Sequence, residues 1–147
     1  MVIACNTAHL LLDQIEELKR LPVISLIRLT ANHINTLGES KIGLLASPTT
    51  IRSRLYLDTL DMKDIILPKQ RGQSVIEGSI RDVIAGRQLE LLRELVLDEI
   101  AELKARGAQK IILGCTELSA LFSDDDNTDL IDPLKLAVNE IFKETEC

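Results

Sequence analysis

Apolar residues return along this chain in two rhythms. Short aliphatic runs alternate with longer stretches whose apolar positions fall at helical spacing. The runs Val2–Ala4, Val23–Ile27, Ile42–Ala46, Asp64–Leu67 and Lys110–Leu113 are predicted strands. Residues 8–20 place Leu11, Leu12, Ile15 and Leu18 on one helical face, and Pro22 closes it. Thr30–Leu37 is a second predicted helix, closed by Gly38. Ser47 before Pro48 reads as an N-cap followed by proline at the first helical position, opening a helix through Tyr56 or Leu57. Val75, Ile76, Ile80, Val83 and Ile84 form a stripe that stops at Gly86. Leu89, Leu92, Val96, Ile100 and Leu103 form a longer one, closed by Gly107. A polar loop over 123–129 precedes a last helix marked by Leu134, Ala137, Val138 and Ile141. Strands alternating with helices predict an α/β fold: a parallel sheet flanked by helices, with right-handed crossovers.

Composition sharpens this picture. A chain of 147 residues fits one ordinary domain. Aromatics make up only 2% and Trp is absent, so Leu, Ile, Val and Ala must build the core. That suits parallel strands buried on both faces. The net charge of −6 opposes a nucleic-acid role, which needs a basic face. Scarce aromatics also remove the stacking platform for single strands. A small anionic substrate remains compatible, because a local site can be positive inside an acidic protein. No apolar run approaches the roughly 20 residues of a membrane span, and no signal-peptide pattern opens the chain. Three Cys make no disulfide framework. The expected setting is reducing and cytoplasmic, with neither membrane nor nucleic acid as partner.

Cys5 and Cys115 each stand where an aliphatic run hands over to a loop or helix. In open α/β sheets, ligands bind outside the carboxyl ends of the strands. Helix N-termini there favour thiolate and offer a carboxylate cradle. Two thiols facing one carboxylate pocket make a proton relay: one removes a Cα proton, the other delivers a proton to the opposite face. Such chemistry needs no metal or cofactor in principle, though the carbanion must still be stabilised. The simpler reading is that each Cys is a small buried hydrophobe. Spacing alone leaves the two readings open. A redox role is disfavoured, since neither Cys sits in a C-x-x-C motif.

The remaining polar residues have plainer readings. His9 decorates or caps the first helix turn, the alternative being that it orients Cys5 or binds product. His33 is a surface or partly buried helix residue, and Cys147 a frayed terminal thiol. The run Asp124-Asp125-Asp126-Asn127 lacks the spacing, Gly and Glu of a calcium loop and reads as solvated. Lys69-Gln70-Arg71-Gly72 reads as a loop that could approach an anion. Ser47, Thr49 and Thr50 cap a helix and could also touch a carboxylate.

Two segments carry a family resemblance. Ile3-Ala4-Cys5-Asn6-Thr7-Ala8-His9 and Ile111-Ile112-Leu113-Gly114-Cys115-Thr116-Glu117-Leu118 resemble the paired cysteine motifs of the aspartate/glutamate racemase superfamily. Ile42–Ser47 followed by Thr49 or Thr50 resembles the segment opening the family's second lobe, and Ile131-Asp132-Pro133 its closing segment. The resemblance covers essentially the whole chain. It implies two pseudo-symmetric, flavodoxin-like α/β lobes with one Cys from each at the active site. Cys5 and Cys115 are then the acid/base pair, and Asn6, Thr7, Thr116 and Glu117 the substrate-binding set. The first three would hold the substrate carboxylate or amine. The implied activity is cofactor-independent racemisation of a small acidic amino acid such as aspartate, in a homodimer if the family habit holds. Glutamate racemases usually carry His after Gly-Cys-Thr, whereas the aspartate branch carries Glu, as at Glu117. Arylmalonate decarboxylases of the same superfamily keep only one of the two Cys and fit less well.

The departures matter too. Family members begin with a strand and Gly-rich loop well upstream of the first Cys. The chain is therefore expected to hold a remnant of the first lobe (1–22), the second lobe (23–127) and a C-terminal helix returning to the first lobe (128–147). Many aspartate racemases place a Lys two residues before the Gly matched here by Gly86, where this chain has Ile84. The alternative expectation is a catalytically inactive racemase lobe that binds or self-associates, since losing a lobe exposes apolar faces.

Overall fold

The computed structural model describes residues 1–12, 14, 23–60 and 63–145. Its centre is a four-stranded sheet of order β2-β1-β3-β4, with β1 Lys41–Ala46, β2 Asp64–Ile66, β3 Lys110–Gly114 and β4 Leu130–Ile131. Every pairing is parallel. β1 and β3 occupy the middle and are buried on both faces, as an all-parallel sheet requires. The register sets Ala46 beside Gly114 and Ile112 beside Ile131.

Successive strand residues point to opposite faces, and the core divides accordingly. On one face Leu45, Ile111 and Leu113 pack with Ile76, Ile80, Val96, Ile100 and Leu103. These come from α4 Gln70–Ile84 and α5 Leu89–Ala105. On the other face Ile42, Leu44 and Ile112 pack with Ile27, Ala31 and Ile34 of α1 Leu26–Leu37 and with Tyr56 and Leu60. The C-terminal helix α7, Pro133–Thr145, also lies on this side against α1. No helix among the described residues is long and apolar enough to cross a membrane.

Several boundaries differ from the sequence reading, each for a local reason. Val23–Ile27 is not a strand. Ser25 caps a helix by accepting from the Arg28 N–H at 3.3 Å, so α1 starts at Leu26 rather than Thr30. Only Ile24 keeps an extended partner, a parallel bridge to Val2. Val2–Ala4 is therefore no buried core strand: it lies off the sheet and has this single bridge. The described start of the helix predicted over 8–20 is a 3-10 turn, Thr7–Leu11; Ile15 and Leu18 lie outside the described residues, as does Cys147.

The helix predicted after Ser47 breaks in two, α2 Pro48–Arg52 and α3 Leu55–Thr59. Between them Arg54 takes φ +58°, a conformation uncommon outside glycine. That turn redirects α3 so that Tyr56 becomes wholly buried. Gln70, Arg71 and Gly72 open α4 rather than forming a loop, with Lys69 as N-cap paired to Glu102 at 2.8 Å. β4 escaped the pattern because it is only two residues long. Gly38, Gly86 and Gly107 stand at the predicted helix ends with positive φ. Ile84 is not core: it closes α4 and is 70% exposed. Val138 and Ile141, which marked the last helix in the sequence, are exposed too, while Ala137 is buried and Leu136 packs against the core.

Gly114 allows β3 to lie close against β1. A Cβ there would stand 2.9 Å from the Ala46 Cβ and 3.1 Å from the Leu45 carbonyl oxygen. Gly114→Ala is expected to cost about 1–3 kcal/mol by overpacking and to lower Tm by several degrees. Gly78 in α4 has nothing within 4 Å of the corresponding position. Gly78→Ala is expected to stabilise by about 0.5–1 kcal/mol. Thermal unfolding followed by circular dichroism separates the two signs.

Candidate active site

The carboxyl ends of β1 and β3 lie side by side, so the residues that follow them, Ser47 and Cys115, share one edge of the sheet. Ser47 caps α2, accepting from the Thr50 N–H at 3.2 Å. Cys115 is the N-cap of α6, Thr116–Leu121. Both turns follow the strand-to-helix logic predicted for them. Gln73 secures the edge by donating from Nε2 to the Ala46 carbonyl at 2.9 Å.

The first cysteine motif docks onto this edge through three polar ties. Thr7 Oγ1 lies 2.8 Å from Thr50 Oγ1 and 3.4 Å from Ser47 Oγ. Ser47 and Thr50 are themselves 3.1 Å apart, so three hydroxyls from two segments form one cluster. Asn6 is only 3% exposed, and its Oδ1 accepts from the Tyr56 hydroxyl at 2.6 Å. Burial pushes the Tyr56 phenol far above its usual range, so it remains a donor. The Asn6 amide is thereby oriented. His9 is buried, with Nδ1 2.9 Å from the Cys5 carbonyl and Nε2 accepting the Leu26 N–H at 3.0 Å. It thus caps α1, not the turn that contains it. Cys5 itself is exposed at the tip of the motif.

Cys115 is half-buried, and its Sγ donates to Glu117 Oε2 at 2.7 Å. The Thr116 hydroxyl reaches the same oxygen at 3.3 Å. Burial, then the Glu117 hydrogen bond and charge, push the Cys115 thiol up to about 12. The Glu117 backbone pulls weakly the other way, and the charge of Cys5 adds to the rise. The expectation that a helix N-terminus would favour thiolate at Cys115 fails here. α6 is only six residues long, and a carboxylate and a desolvated setting outweigh its dipole.

The sequence-predicted residues therefore divide cleanly. Cys5, Asn6, Thr7, Cys115, Thr116 and Glu117 gather at one sheet edge, with Ser47 and Thr50. Ile84 is elsewhere: it ends a 15-residue helix whose start is at the edge, about 20 Å along the axis. Asp125 pairs with Arg93 and accepts from the Asn127 N–H, so the acidic run is a structured loop. No group of three His, Cys, Asp or Glu that could hold a metal occurs among the described residues. Tyr56 was missed. Its one available signal was scarcity, since it is the sole Tyr of the sequence.

Comparison with known proteins agrees with this fold. The family described as Asp/Glu/Hydantoin racemase matches residues 1–141. Glutamate racemase from Deinococcus radiodurans is 30% identical over 118 residues, covering 79% of this chain and 41% of its own. The chain is similar in fold to an aspartate racemase homologue from Pyrococcus horikoshii OT3, at TM-score 0.79 and 24% identity, over 99% of this chain and 66% of the other. It is likewise similar to Picrophilus torridus aspartate racemase, at TM-score 0.72 and 24% identity, over 90% of this chain and 55% of the other. The chain thus spans between 41% and 66% of the length of these relatives. With its parallel sheet and both cysteine motifs on one edge, the chain belongs to the Asp/Glu/hydantoin racemase family.

Proposed function

We propose that the chain carries out cofactor-independent racemisation of a small acidic amino acid by two-thiol 1,1-proton transfer at Cα. The observation that carries this reading is that the first cysteine motif docks, through Thr7 on Thr50 and Ser47 and through Asn6 on Tyr56, at the carboxyl edge of the sheet where β3 runs into Cys115. Cys115, with its pKa pushed up to about 12, enters as the thiol, and Cys5 takes the role of base. The Cα–H bond breaks toward Cys5 Sγ, forming an S–H bond there. The electron pair left on Cα delocalises into the substrate carboxylate. The Asn6 NH2 and the Thr7 hydroxyl are the donors near that charge, with Thr116 beside them once its hydroxyl turns from Glu117 to the substrate. Cys115 then breaks its S–H bond and delivers the proton to the opposite face. The other enantiomer reverses both roles.

Aspartate is the favoured substrate because Glu117 follows Gly-Cys-Thr, as in the aspartate branch the motif resembles. Residues 1–22 belong in this reading to a first lobe, 23–127 to the second, and 128–147 return to the first. A cytoplasmic homodimer completes the proposal.

Incubating the folded, reduced chain with L-aspartate, then L-glutamate, in D2O tests it directly. Loss of the Cα proton by NMR is expected. Cys5→Ala and Cys115→Ala should each lower its rate by about 100-fold or more, the scale of acid–base catalysis. No exchange in a folded chain would favour the other reading, a racemase lobe that binds or self-associates. Tyr56→Phe leaves the buried Asn6 oxygen without its donor, and a fall of about 5- to 30-fold in kcat/KM is expected.

Alkylation with iodoacetamide, mapped by mass spectrometry, checks the electrostatics. The Cys115 rate should climb with pH until about pH 12. At pH 8 its thiolate fraction should be on the order of one in ten thousand. Glu117→Gln removes a negative charge that disfavours thiolate, so its pKa falls and alkylation at pH 8 accelerates. Equal rates in both chains would remove Glu117 as a cause.

A further inference from the structure

The Cys5 thiol has no regular element beneath it. Residues 1–6 form neither helix nor continuous strand, and Val2 makes the segment's single bridge. The thiol is therefore only as well placed as the backbone of residues 3–7. Locally, the Cys5 N–H closes a tight turn onto the Ile3 carbonyl at 2.8 Å. Beyond that turn, His9 holds the motif's carbonyls. Its backbone N–H donates to the Asn6 oxygen at 3.1 Å, and its ring Nδ1 lies 2.9 Å from the Cys5 oxygen.

The far side of the ring defines what the near side can do. Leu26 N–H donates to Nε2 at 3.0 Å, across 17 residues of chain. An amide N–H can only donate, so Nε2 must present a lone pair and the ring proton must sit on Nδ1. From there it donates to the Cys5 carbonyl. The opposite tautomer would set donor against donor at Leu26 and lone pair against lone pair at Cys5, losing both bonds together. A doubly protonated ring would lose the Leu26 bond. Burial leaves no water to compensate, since His9 is 6% exposed.

Leu26 is an unusually firm anchor. It is the first residue of α1, wholly buried, and its helix is held on the sheet through Ile27, Ala31 and Ile34. Ser25 already caps that helix at the Arg28 N–H, so the Leu26 N–H falls to His9. The ring is thus a rigid strut between a packed helix and a bare loop. Both its nitrogens are engaged, which removes it as a proton donor or acceptor for a ligand.

We propose that His9 is the positioning residue for Cys5: a buried Nδ1–H imidazole that fixes the Cys5 carbonyl to the N-terminus of α1. The proposal rests on the racemase reading insofar as Cys5 is the reacting thiol. The strut itself does not depend on it.

Three measurements on the full chain test it. Long-range 1H–15N NMR should show His9 as the Nδ1–H tautomer at pH 7, and a ring protonated at Nε2 would overturn the proposal. Glutamine offers a donor and an acceptor at similar separation, whereas leucine offers neither. His9→Leu should lower kcat for Cα exchange by about tenfold or more with KM within about threefold, and His9→Gln should recover most of that loss. Equal loss in both variants, or loss confined to KM, would count against positioning. If the folded wild-type chain shows no exchange, the racemase reading fails on its own and alkylation decides the strut. His9→Leu should then shift the Cys5 rate by about threefold without moving Cys115, with His9→Gln restoring it. Unchanged Cys5 rates across the folded variants would sink the idea.

Discussion

The parallel pairing of β1 with β3 is the constraint on which the site depends. Gly114 lets the two strands close up, and their register brings Ala46 level with Gly114. The next residue along each strand is then Ser47 on one side and Cys115 on the other. One caps a helix that receives the first cysteine motif; the other is the second thiol. A slip of one residue would turn every side chain of the strand to the other face and dissolve both relationships.

On this edge the first motif is held by polar ties rather than by packing. The Thr7–Thr50–Ser47 cluster, the Tyr56–Asn6 bond and the two His9 bonds fasten it at three points to different segments. Each tie fixes the direction of a polar group: the Asn6 amide, the Thr7 hydroxyl, the Cys5 carbonyl. Directional bonds suit this work better than apolar contacts, because they fix orientation as well as proximity. The αL turn at Arg54 belongs to the same device, since it brings Tyr56 under Asn6.

The two thiols are unlike. Cys5 is exposed on a loop, while Cys115 is half-buried and bonded to a carboxylate. Glu117 and desolvation together favour the protonated form of Cys115. Burial and a neighbouring carboxylate thus set Cys115 apart from Cys5 in the folded chain.

The periodicity of apolar residues was enough to foresee an α/β fold, the two central strands, and the long helices α4 and α5. Those elements are long, aliphatic and bounded by Gly or Pro, so local patterning and tertiary packing agree. The place of Cys115 at the carboxyl end of β3 was also legible, because strand ends mark the ligand edge of such a sheet, whereas Asn6, Thr7 and Thr116 stood out only through the family resemblance. Where the pattern failed, a local competitor won: Ser25 turned a β-branched run into a helix start, Arg54 broke a helix in two, and β4 was too short to show. The Leu26 partner of His9 and the partners of Asn6 and Glu117 were beyond it, as was the protonation preference of Cys115. Hydrogen bonds spanning 17 or 50 residues carry no signal in local spacing. A pKa depends on burial and on neighbouring charge, and only the folded chain defines those. The sequence by itself determined which groups stand at the sheet edge; the tertiary structure decided which way each one points and which one holds its proton.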